Sequence, residues 1–339
     1  MEQSKLHKTL NIVFRLFIVA FSLGFLYWKL IANGNIAGLY AQLSSFGNNI
    51  NFFYGIAWIS LFMFINWSLE TLKWQSLIRQ VEQVKFFKAF YAVLAGVTVS
   101  IFTPNRTGEF IGRVFTLKAD EPGKAVMLTI VGSLSQLLIT ILSGTIAFAI
   151  SFRKFLPSGI HIPTWAYMGM VTGIIILDGC LLLGFFNVRI ISNTVNRIIP
   201  ARYRHIHGYL NVVSGLNRRQ LSLILSLSFL RYLVFSFQFY LILRIFGLNI
   251  SLNDIIFIIP VIYLILAVTP TIALSEIGIR GSVSLVIIGT YLSGIRGTLL
   301  NETESLAIVL AAGVLWIINL AVPAILGIPF VFKLRFFRK

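Results

Sequence analysis

Two similar stretches of sequence decide the fold, residues 103–113 (TPNRTGEFIGR) and residues 269–280 (TPTIALSEIGIR). Each stretch follows an apolar run, begins with Thr-Pro and then places a glutamate four residues before an arginine. Proline disfavours helix at the residue before it, so each apolar helix is predicted to end at the Thr-Pro step. Residues i and i+4 share a helix face, so each glutamate is predicted to pair with its arginine. The two pairs are Glu109 with Arg113 and Glu276 with Arg280.

The composition around these stretches indicates a membrane protein. Of the 339 residues, 57% are hydrophobic and 12% are charged, about half the charged share of an ordinary soluble domain. A soluble core of this length cannot bury so much apolar surface, and long apolar runs exclude an outer-membrane barrel, whose strands alternate. We therefore predict an all-α polytopic membrane protein. The apolar runs are Leu10–Trp28, Phe52–Leu69, Phe86–Phe102, Ala125–Ile150, Trp165–Phe186, Leu221–Phe246, Ile255–Val268 and Leu306–Phe332.

Two regions do not fit simple crossings, which need about 20 residues. After each Thr-Pro step the next apolar piece is short, Phe110–Leu117 in the first region and Ser282–Tyr291 in the second. We predict that residues 86–117 and 255–291 form re-entrant helical hairpins, which enter the membrane and return to the same side. The predicted topology is six full spans with two hairpins, and eight full spans are the alternative.

The basic residues set the predicted orientation. Lys and Arg total 28 against 11 Asp and Glu, a net charge of +17, and basic residues collect in cytoplasmic loops. Residues 31–51 contain no Lys or Arg, so we predict that this loop is outside and that both termini are cytoplasmic. The hairpins then enter from opposite sides, which predicts an inverted-topology repeat. Arg153 and Lys154 fall outside and depart from the rule.

We predict one transmembrane domain, residues 1–339, with a basic loop at 187–220. In that loop, apolar residues at helical spacing are interspersed with arginines, which predicts an interfacial helix on the anionic cytoplasmic leaflet. The predicted segments are 1–51 (first span and outside loop), 52–150 (repeat one), 151–220 (linking span and basic loop), 221–332 (repeat two) and 333–339 (basic tail).

Other classes of partner are not supported by the sequence. Topology explains the positive charge, so no nucleic-acid partner is predicted. Cys180 is the single cysteine, and His205 and His207 lack the acidic or cysteine neighbours of a metal site. A Gly-x-x-x-x-Gly-Lys-Ser/Thr loop is absent from the sequence. We therefore predict no metal and no cofactor.

The candidate substrate site lies at the two Thr-Pro stretches, because ionisable side chains at membrane depth are costly and tend to be functional. Arginine fits a phosphate through its bidentate fork, and a helix that begins after a break offers its positive dipole end to an anion. Gly108 and Gly112 allow a backbone or headgroup to approach closely. The predicted substrate-binding residues are Arg106, Gly108, Glu109, Arg113, Glu276 and Arg280, with helix breaks at Pro104 and Pro270.

Acidic residues at membrane depth are also candidates for proton coupling. Glu109 and Glu276 either hold the arginines in place or exchange a proton. Asp178 lies within an apolar run with no partner nearby in sequence. A proton site, a pair with Arg231 across helices and a single polar contact all remain open for it.

Five further polar residues give weaker evidence of a role in function. Asn66, Gln136 and Gln238 are predicted to form hydrogen bonds between helices. Glu70 and Arg244 lie near the ends of predicted spans, where such side chains can reach the interface. We assign none of the five to the substrate site.

At residues 104–113 and 275–280, which read PNRTGEFIGR and SEIGIR, the chain resembles the transmembrane region of the lysylphosphatidylglycerol synthase family. That family includes stand-alone flippase-like membrane proteins, and the resemblance in span layout covers nearly the whole chain. The second stretch lacks the acid that usually follows Arg280 in the family, and Glu276 precedes the arginine instead. The resemblance implies translocation of a lipid headgroup. Without the soluble aminoacyl-transferring domain, transferase activity is not expected.

The predicted function is a lipid flippase of a bacterial inner membrane. Its substrate would be an anionic or aminoacylated phospholipid, or a polyprenyl-phosphate-linked lipid. The alternatives are a secondary transporter for a small anion, a membrane component of a lipid-modifying transferase, and a scaffold for envelope assembly. Besides lipid, a second copy of the chain or a soluble enzyme remain candidate partners.

Overall fold

A computed structural model describes residues 50–101, 103, 106–117, 122–156, 160, 162–198, 204–270 and 273–331. Every regular element within these ranges is helical, which confirms the predicted all-α class. The predicted first span Leu10–Trp28, the break at Pro104 and the tail 333–339 lie outside the described residues. The helices are α1 Ile50–Ile78, α2 Phe86–Ile101, α3 Gly108–Val114, α4 Pro122–Ser151, α5 Thr164–Phe186, α6 Val188–Ile198, α7 Arg204–Ser214, α8 Arg218–Ile245, α9 Leu252–Val268, α10 Ala273–Arg296, α11 Glu302–Trp316 and α12 Val322–Val331; a 3-10 turn, Phe152–Phe155, follows α4, and a π-helical turn, Ile317–Ala321, joins α11 to α12.

The chain is a multi-pass membrane protein, because six of its described helical segments are long and apolar enough to cross a bilayer. Five of them correspond to predicted spans. The sixth corrects a prediction, since the apolar pattern indicates only a short leg, Ser282–Tyr291, whereas α10 is a continuous helix of 24 residues. Glu276 and Arg280 pair with each other along the helix, so these polar residues do not interrupt it. The six segments are Phe52–Ile78, Pro122–Phe155, Thr164–Phe186, Arg218–Ile245, Glu276–Arg296 and Glu302–Val331.

Helices α2 and α3 pack against each other in opposite directions, and we call them the first helix pair. Gly112 of α3 lies against Gly96 of α2, and Gly108 lies against the backbone of Val99. A Cβ atom on Gly112 would lie 2.6 Å from the Cα of Gly96, so the two backbones approach as closely as glycine allows. The short α3 therefore depends on glycine at its contact face.

Helices α9 and α10 form a second helix pair, also in opposite directions. Helix α9 ends at Val268, two residues before Pro270, as the Thr-Pro step predicts. Near the other end of the pair, the Tyr291 hydroxyl donates to Asp254 Oδ1 over 3.0 Å. Lys154, just beyond α4, donates to the same hydroxyl over 2.8 Å. The beginning of α9 and the end of α10 thus lie beside one another, at the end of the bundle that holds Lys154.

Helices α5 and α12 occupy different environments. Helix α12 packs along α2, where Thr98 donates its hydroxyl to the carbonyl of Ala324 over 2.7 Å and Tyr91 stacks on Phe330. Helix α5 lies at the periphery, and Asp178 is the buried residue of that helix. The polar residues described next therefore lie among α1, α3, α4, α8, α10 and the π-helical turn rather than along α5.

Candidate functional site

The two helix pairs meet at Glu276. Its Oε2 accepts from Arg106 Nη2 over 2.6 Å, and its Oε1 accepts from Arg280 Nη2 over 2.6 Å and from Arg280 Nε over 2.9 Å. The predicted pair on α10 therefore forms, and an arginine from the first helix pair completes it. Two guanidinium groups from distant parts of the sequence share one buried carboxylate.

Arg106 adopts an unusual backbone conformation at this junction. Its φ of 57° lies in the left-handed region, which residues other than glycine rarely occupy. Such strain persists only where surrounding contacts hold it, and it is concentrated at functional sites. The ion pair to Glu276 is the contact that holds the Arg106 side chain across the junction.

A second buried cluster surrounds Glu70 and corrects its expected position near the interface. Helix α1 continues to Ile78, so Glu70 lies within the helix and is buried. Its Oε1 accepts from Arg113 Nη1 over 2.9 Å, and its Oε2 accepts from Lys73 Nζ and Arg231 Nη1, each over 2.7 Å. Arg113 also pairs with Glu109, as predicted. One carboxylate therefore neutralises cations from three helices.

The pair between Asp178 and Arg231 is not formed. Both oxygens of Asp178 lie within hydrogen-bond distance of Thr145 Oγ1, at 2.9 and 3.1 Å, whereas Arg231 binds Glu70. Among the residues that the structure describes, Asp178 has a hydroxyl partner and no cation. The alternatives that remain are a proton site and a single polar contact.

A chain of amide groups orients Arg231. Its Nε donates to Asn66 Oδ1 over 2.9 Å, and Asn66 Nδ2 donates to Asn319 Oδ1 over 3.2 Å. Asn319 Nδ2 donates to Gln238 Oε1, and Gln238 Nε2 donates to the backbone carbonyl of Ile59, each over 2.9 Å. The backbone carbonyl can only accept, so it sets the direction of every amide in the chain. Asn319 belongs to the π-helical turn, a feature often found at functional sites.

The predicted interhelical hydrogen bonds are confirmed. Asn66 and Gln238 take part in the amide chain, and Gln136 Nε2 on α4 donates to the carbonyl of Ser228 on α8 over 3.3 Å. Arg244 is exposed and donates to Asn249, as expected for its position near a helix end. These contacts join α1, α4, α8 and the π-helical turn around a common interior.

That interior contains a cavity of about 270 Å³. Arg106, Arg231 and Arg280 lie on its wall, with 36%, 21% and 17% of their side chains exposed, whereas Glu70 and Glu276 are only 5% and 7% exposed. The guanidinium groups therefore face the open space and the carboxylates lie behind them. The aromatic residues on the wall are Trp67, Tyr232, Phe235, Tyr263 and Trp316.

The cavity and its surroundings carry an excess of positive charge. Five cations and three acids belong to the two clusters, which leaves two positive charges beyond neutrality. Four of these eight groups are buried, where charges are screened less than in water, so the excess favours an anion. The cations are Lys73, Arg106, Arg113, Arg231 and Arg280, and the acids are Glu70, Glu109 and Glu276.

The predicted site residues fall into two groups. Arg106 and Arg280 lie on the cavity wall, with Glu276 between them. Arg113 is buried beside Glu70 and away from the wall, where it ties α3 to α1. Of the remaining predicted residues, Gly108 provides helix contact and Glu109 pairs with Arg113.

Sequence reasoning missed Arg231, Glu70 and Asn319 as site residues. Apart from Lys73, which lies three positions after Glu70, their side-chain partners lie 43 to 253 positions away in sequence, so local spacing does not reveal the cluster. The sequence does contain evidence for one of them, because a charged residue within an apolar span is costly and is by default a candidate functional residue. Arg231 lies in the middle of the span Arg218–Ile245 and meets that description.

Comparison with known proteins gives one match. Residues 12–294 match the family described as Lysylphosphatidylglycerol synthase TM region. No curated protein and no solved structure matches the chain. Within the part of the chain that the structure describes, no group of three His, Cys, Asp or Glu side chains could hold a metal ion. The matched range includes the first helix pair, all but the last two residues of the second, and the three cavity arginines.

Proposed function

We propose that this chain, which belongs to the lysylphosphatidylglycerol synthase TM region family, is a lipid translocator of a bacterial inner membrane. Its substrate would be a lipid with a phosphate in its headgroup: an anionic or aminoacylated phospholipid, or a polyprenyl-phosphate-linked lipid. The observation that carries this proposal is the cavity with three arginines on its wall and its carboxylates behind them.

In this proposal the two helix pairs are re-entrant hairpins that enter from opposite sides. Helix α10 is long enough to cross the bilayer, but the contact of Tyr291 with Asp254 supports its return to the end of the bundle at which α9 begins. Both pairs run back on themselves, and both begin their second helix after a Thr-Pro step. They meet where Arg106, between α2 and α3, pairs with Glu276 in the first turn of α10. Inverted repeats with broken helices hold substrates near the midplane of the bilayer. Cytoplasmic termini follow from the basic loops. The exposed apolar residues Ile190 and Ile198 of α6 support its position on the anionic cytoplasmic leaflet.

The cavity would lower the main barrier to lipid movement. Transfer of a carboxylate-sized ion from water to a medium of low dielectric costs on the order of 20 kcal/mol in the idealised limit. Fixed guanidinium groups replace the water that a phosphate loses, and arginine can bind it bidentately. A cavity of about 270 Å³ suits a headgroup, while the hydrocarbon chains stay in the lipid.

In this mechanism Arg106 controls the relative movement of the two hairpins. It is the most exposed of the three cavity arginines, and its pair with Glu276 joins the two hairpins. A phosphate that binds Arg106 competes with Glu276 for the same guanidinium. Loss of that pair would free the hairpins to move relative to each other, which is the step that alternating access requires.

Asp178 is our proposed proton-coupling residue. Glu109 and Glu276 are ion-paired, whereas the described contacts of Asp178 contain no cation. Asp178→Asn keeps the size of the side chain and an acceptor for Thr145, so we expect normal folding and downhill translocation. We expect it to abolish stimulation by a pH gradient across proteoliposomes. Glu302 is an exposed acid on α11, so Glu302→Gln is the control and should keep the stimulation. Stimulation by the pH gradient that persists in Asp178→Asn would overturn the assignment.

The proposed function is tested by reconstitution of the protein in liposomes, in separate assays with acyl-labelled phospholipids and with a labelled polyprenyl phosphate. Arg280→Gln removes a cavity cation and is expected to slow translocation by about tenfold or more. Arg244→Gln removes an exposed arginine outside the cavity and is expected to leave the rate unchanged. If no labelled lipid moves, or both variants retain the full rate, the proposal fails. Uptake of soluble phosphate instead would identify a small-anion transporter.

A further inference from the structure

The charged side chains on the described cavity wall are all positive. Its charged residues are Arg106, Arg231 and Arg280, and its other polar side chains are amides, hydroxyls and indoles. Among the described lining residues there is no carboxylate. A ligand in this cavity therefore meets three cations and no anion directly.

The carboxylates behind the wall, Glu70 and Glu276, already bind a cation at each of their oxygens. Each oxygen of Glu276 accepts from an arginine, Oε1 from Arg280 and Oε2 from Arg106. Each oxygen of Glu70 accepts from at least one cation, Oε1 from Arg113 and Oε2 from Lys73 and Arg231. An ammonium group in the cavity would have to displace one of these guanidinium or ammonium partners before it could reach a carboxylate.

Aromatic faces are the other means of binding an ammonium group. The Trp67 ring already lies under the Arg231 guanidinium, whose central carbon is 5.1 Å from the ring centroid. Tyr263 packs against Tyr232 and Phe235, with ring centroids 6.0 and 5.3 Å apart. Four of the five aromatic residues on the wall thus contact a cation or one another and are not arranged as an open cage.

We infer that the cavity selects headgroups with a net negative charge and excludes aminoacylated and other amine-bearing headgroups. This inference rests on the proposed function and narrows its substrate class. A phosphate joined to an uncharged group, such as glycerol or a prenyl chain, satisfies the arginines. A lysyl ester of the same lipid would add ammonium groups beside three guanidinium groups, and like charges at an interface suppress binding.

The test uses proteoliposomes of the full chain with three acyl-labelled lipids: phosphatidylglycerol, phosphatidylethanolamine and lysylphosphatidylglycerol. We expect phosphatidylglycerol to move about tenfold faster than either amine-bearing lipid. Unlabelled phosphatidylglycerol and polyprenyl phosphate should compete, and unlabelled lysylphosphatidylglycerol should not. Competition by entrapped glycerol phosphate at equal strength would identify the free phosphate ester, rather than the lipid, as the ligand.

A charge change on the wall tests the mechanism of selection. Gln136→Glu places a carboxylate on the cavity wall with almost no change in size, so it is expected to raise the rate for amine-bearing lipids and lower the rate for phosphatidylglycerol. Gln80→Glu makes the same change at an exposed position outside the cavity and is expected to alter neither rate. Unchanged selectivity in Gln136→Glu would contradict selection by cavity charge.

The outcomes separate the inference from the proposed function. If lysylphosphatidylglycerol moves as fast as phosphatidylglycerol or faster, the chain is a translocator but the inference is wrong. If none of the three lipids moves and a labelled polyprenyl phosphate does not move either, the proposed function fails, and the inference fails with it. Rapid movement of phosphatidylglycerol, with slow movement of the two amine-bearing lipids, supports both the inference and the proposed function.

Discussion

Glu70→Ala is expected to lose about 3–5 kcal/mol of stability, the cost of removing one partner from a buried ion pair. The substitution leaves Lys73 and Arg231 without the carboxylate that they share, and it removes one of the two acids that neutralise Arg113. Lys73 and Arg113 are almost completely buried, so water cannot replace the lost anion. Thermal unfolding of the purified protein in detergent measures the effect, and much of the variant should aggregate on extraction.

A peripheral ion pair provides the matched control. Glu82 pairs with Lys88, whose side chain is 39% exposed, and pairs that reach solvent contribute about 1 kcal/mol or less. Glu82→Gln should therefore unfold close to the wild-type temperature. Equal unfolding temperatures for Glu70→Ala and wild type would show that the Glu70 cluster does not hold α1, α3 and α8 together.

Gly112→Ala is expected to separate the two helices of the first pair. The added Cβ would lie 2.6 Å from Gly96 Cα and 2.9 Å from the carbonyl oxygen of Ala95, and overpacking of this kind costs about 1–3 kcal/mol. Arg113 follows Gly112 directly, so a shift of α3 also pulls its guanidinium away from Glu70. We expect a lower unfolding temperature and loss of lipid translocation.

Gly173→Ala is the control for this substitution, because it makes the same chemical change in another helix. A Cβ atom on Gly173 of α5 would have no protein atom within 4 Å, and alanine is favoured over glycine in a helix by about 1 kcal/mol. This variant should be as stable as the wild type or more so. The contact between α2 and α3 would lose its proposed importance if Gly112→Ala behaved in the same way.

The sequence predicts the helices well because their causes are local. Apolar runs give the spans, the Thr-Pro step ends α9 at Val268, and the spacing of four residues brings Glu276 to Arg280. The helix of 24 residues at α10 was harder to predict, since hydropathy falls at these two charged residues. Their mutual neutralisation, which hydropathy does not count, lets the helix continue through them.

The cavity was not predictable from local sequence because its parts come from distant segments. Glu70 follows the apolar run that ends at Leu69 and therefore resembles a residue at a span end. Its depth depends on Arg113 and Arg231, which supply the charges that make burial tolerable. Only the packing of α1, α3 and α8 brings these residues together.

We propose that the cavity beside the junction of the two helix pairs is a site for a lipid phosphate. The most direct test is a cryo-electron microscopy map of the protein in nanodiscs that contain phosphatidylglycerol. We predict density for a headgroup phosphate within hydrogen-bond distance, about 3 Å, of Arg280 and at least one of Arg106 and Arg231. Headgroup density confined to the bilayer surfaces, with only water or hydrocarbon in the cavity, would contradict the claim.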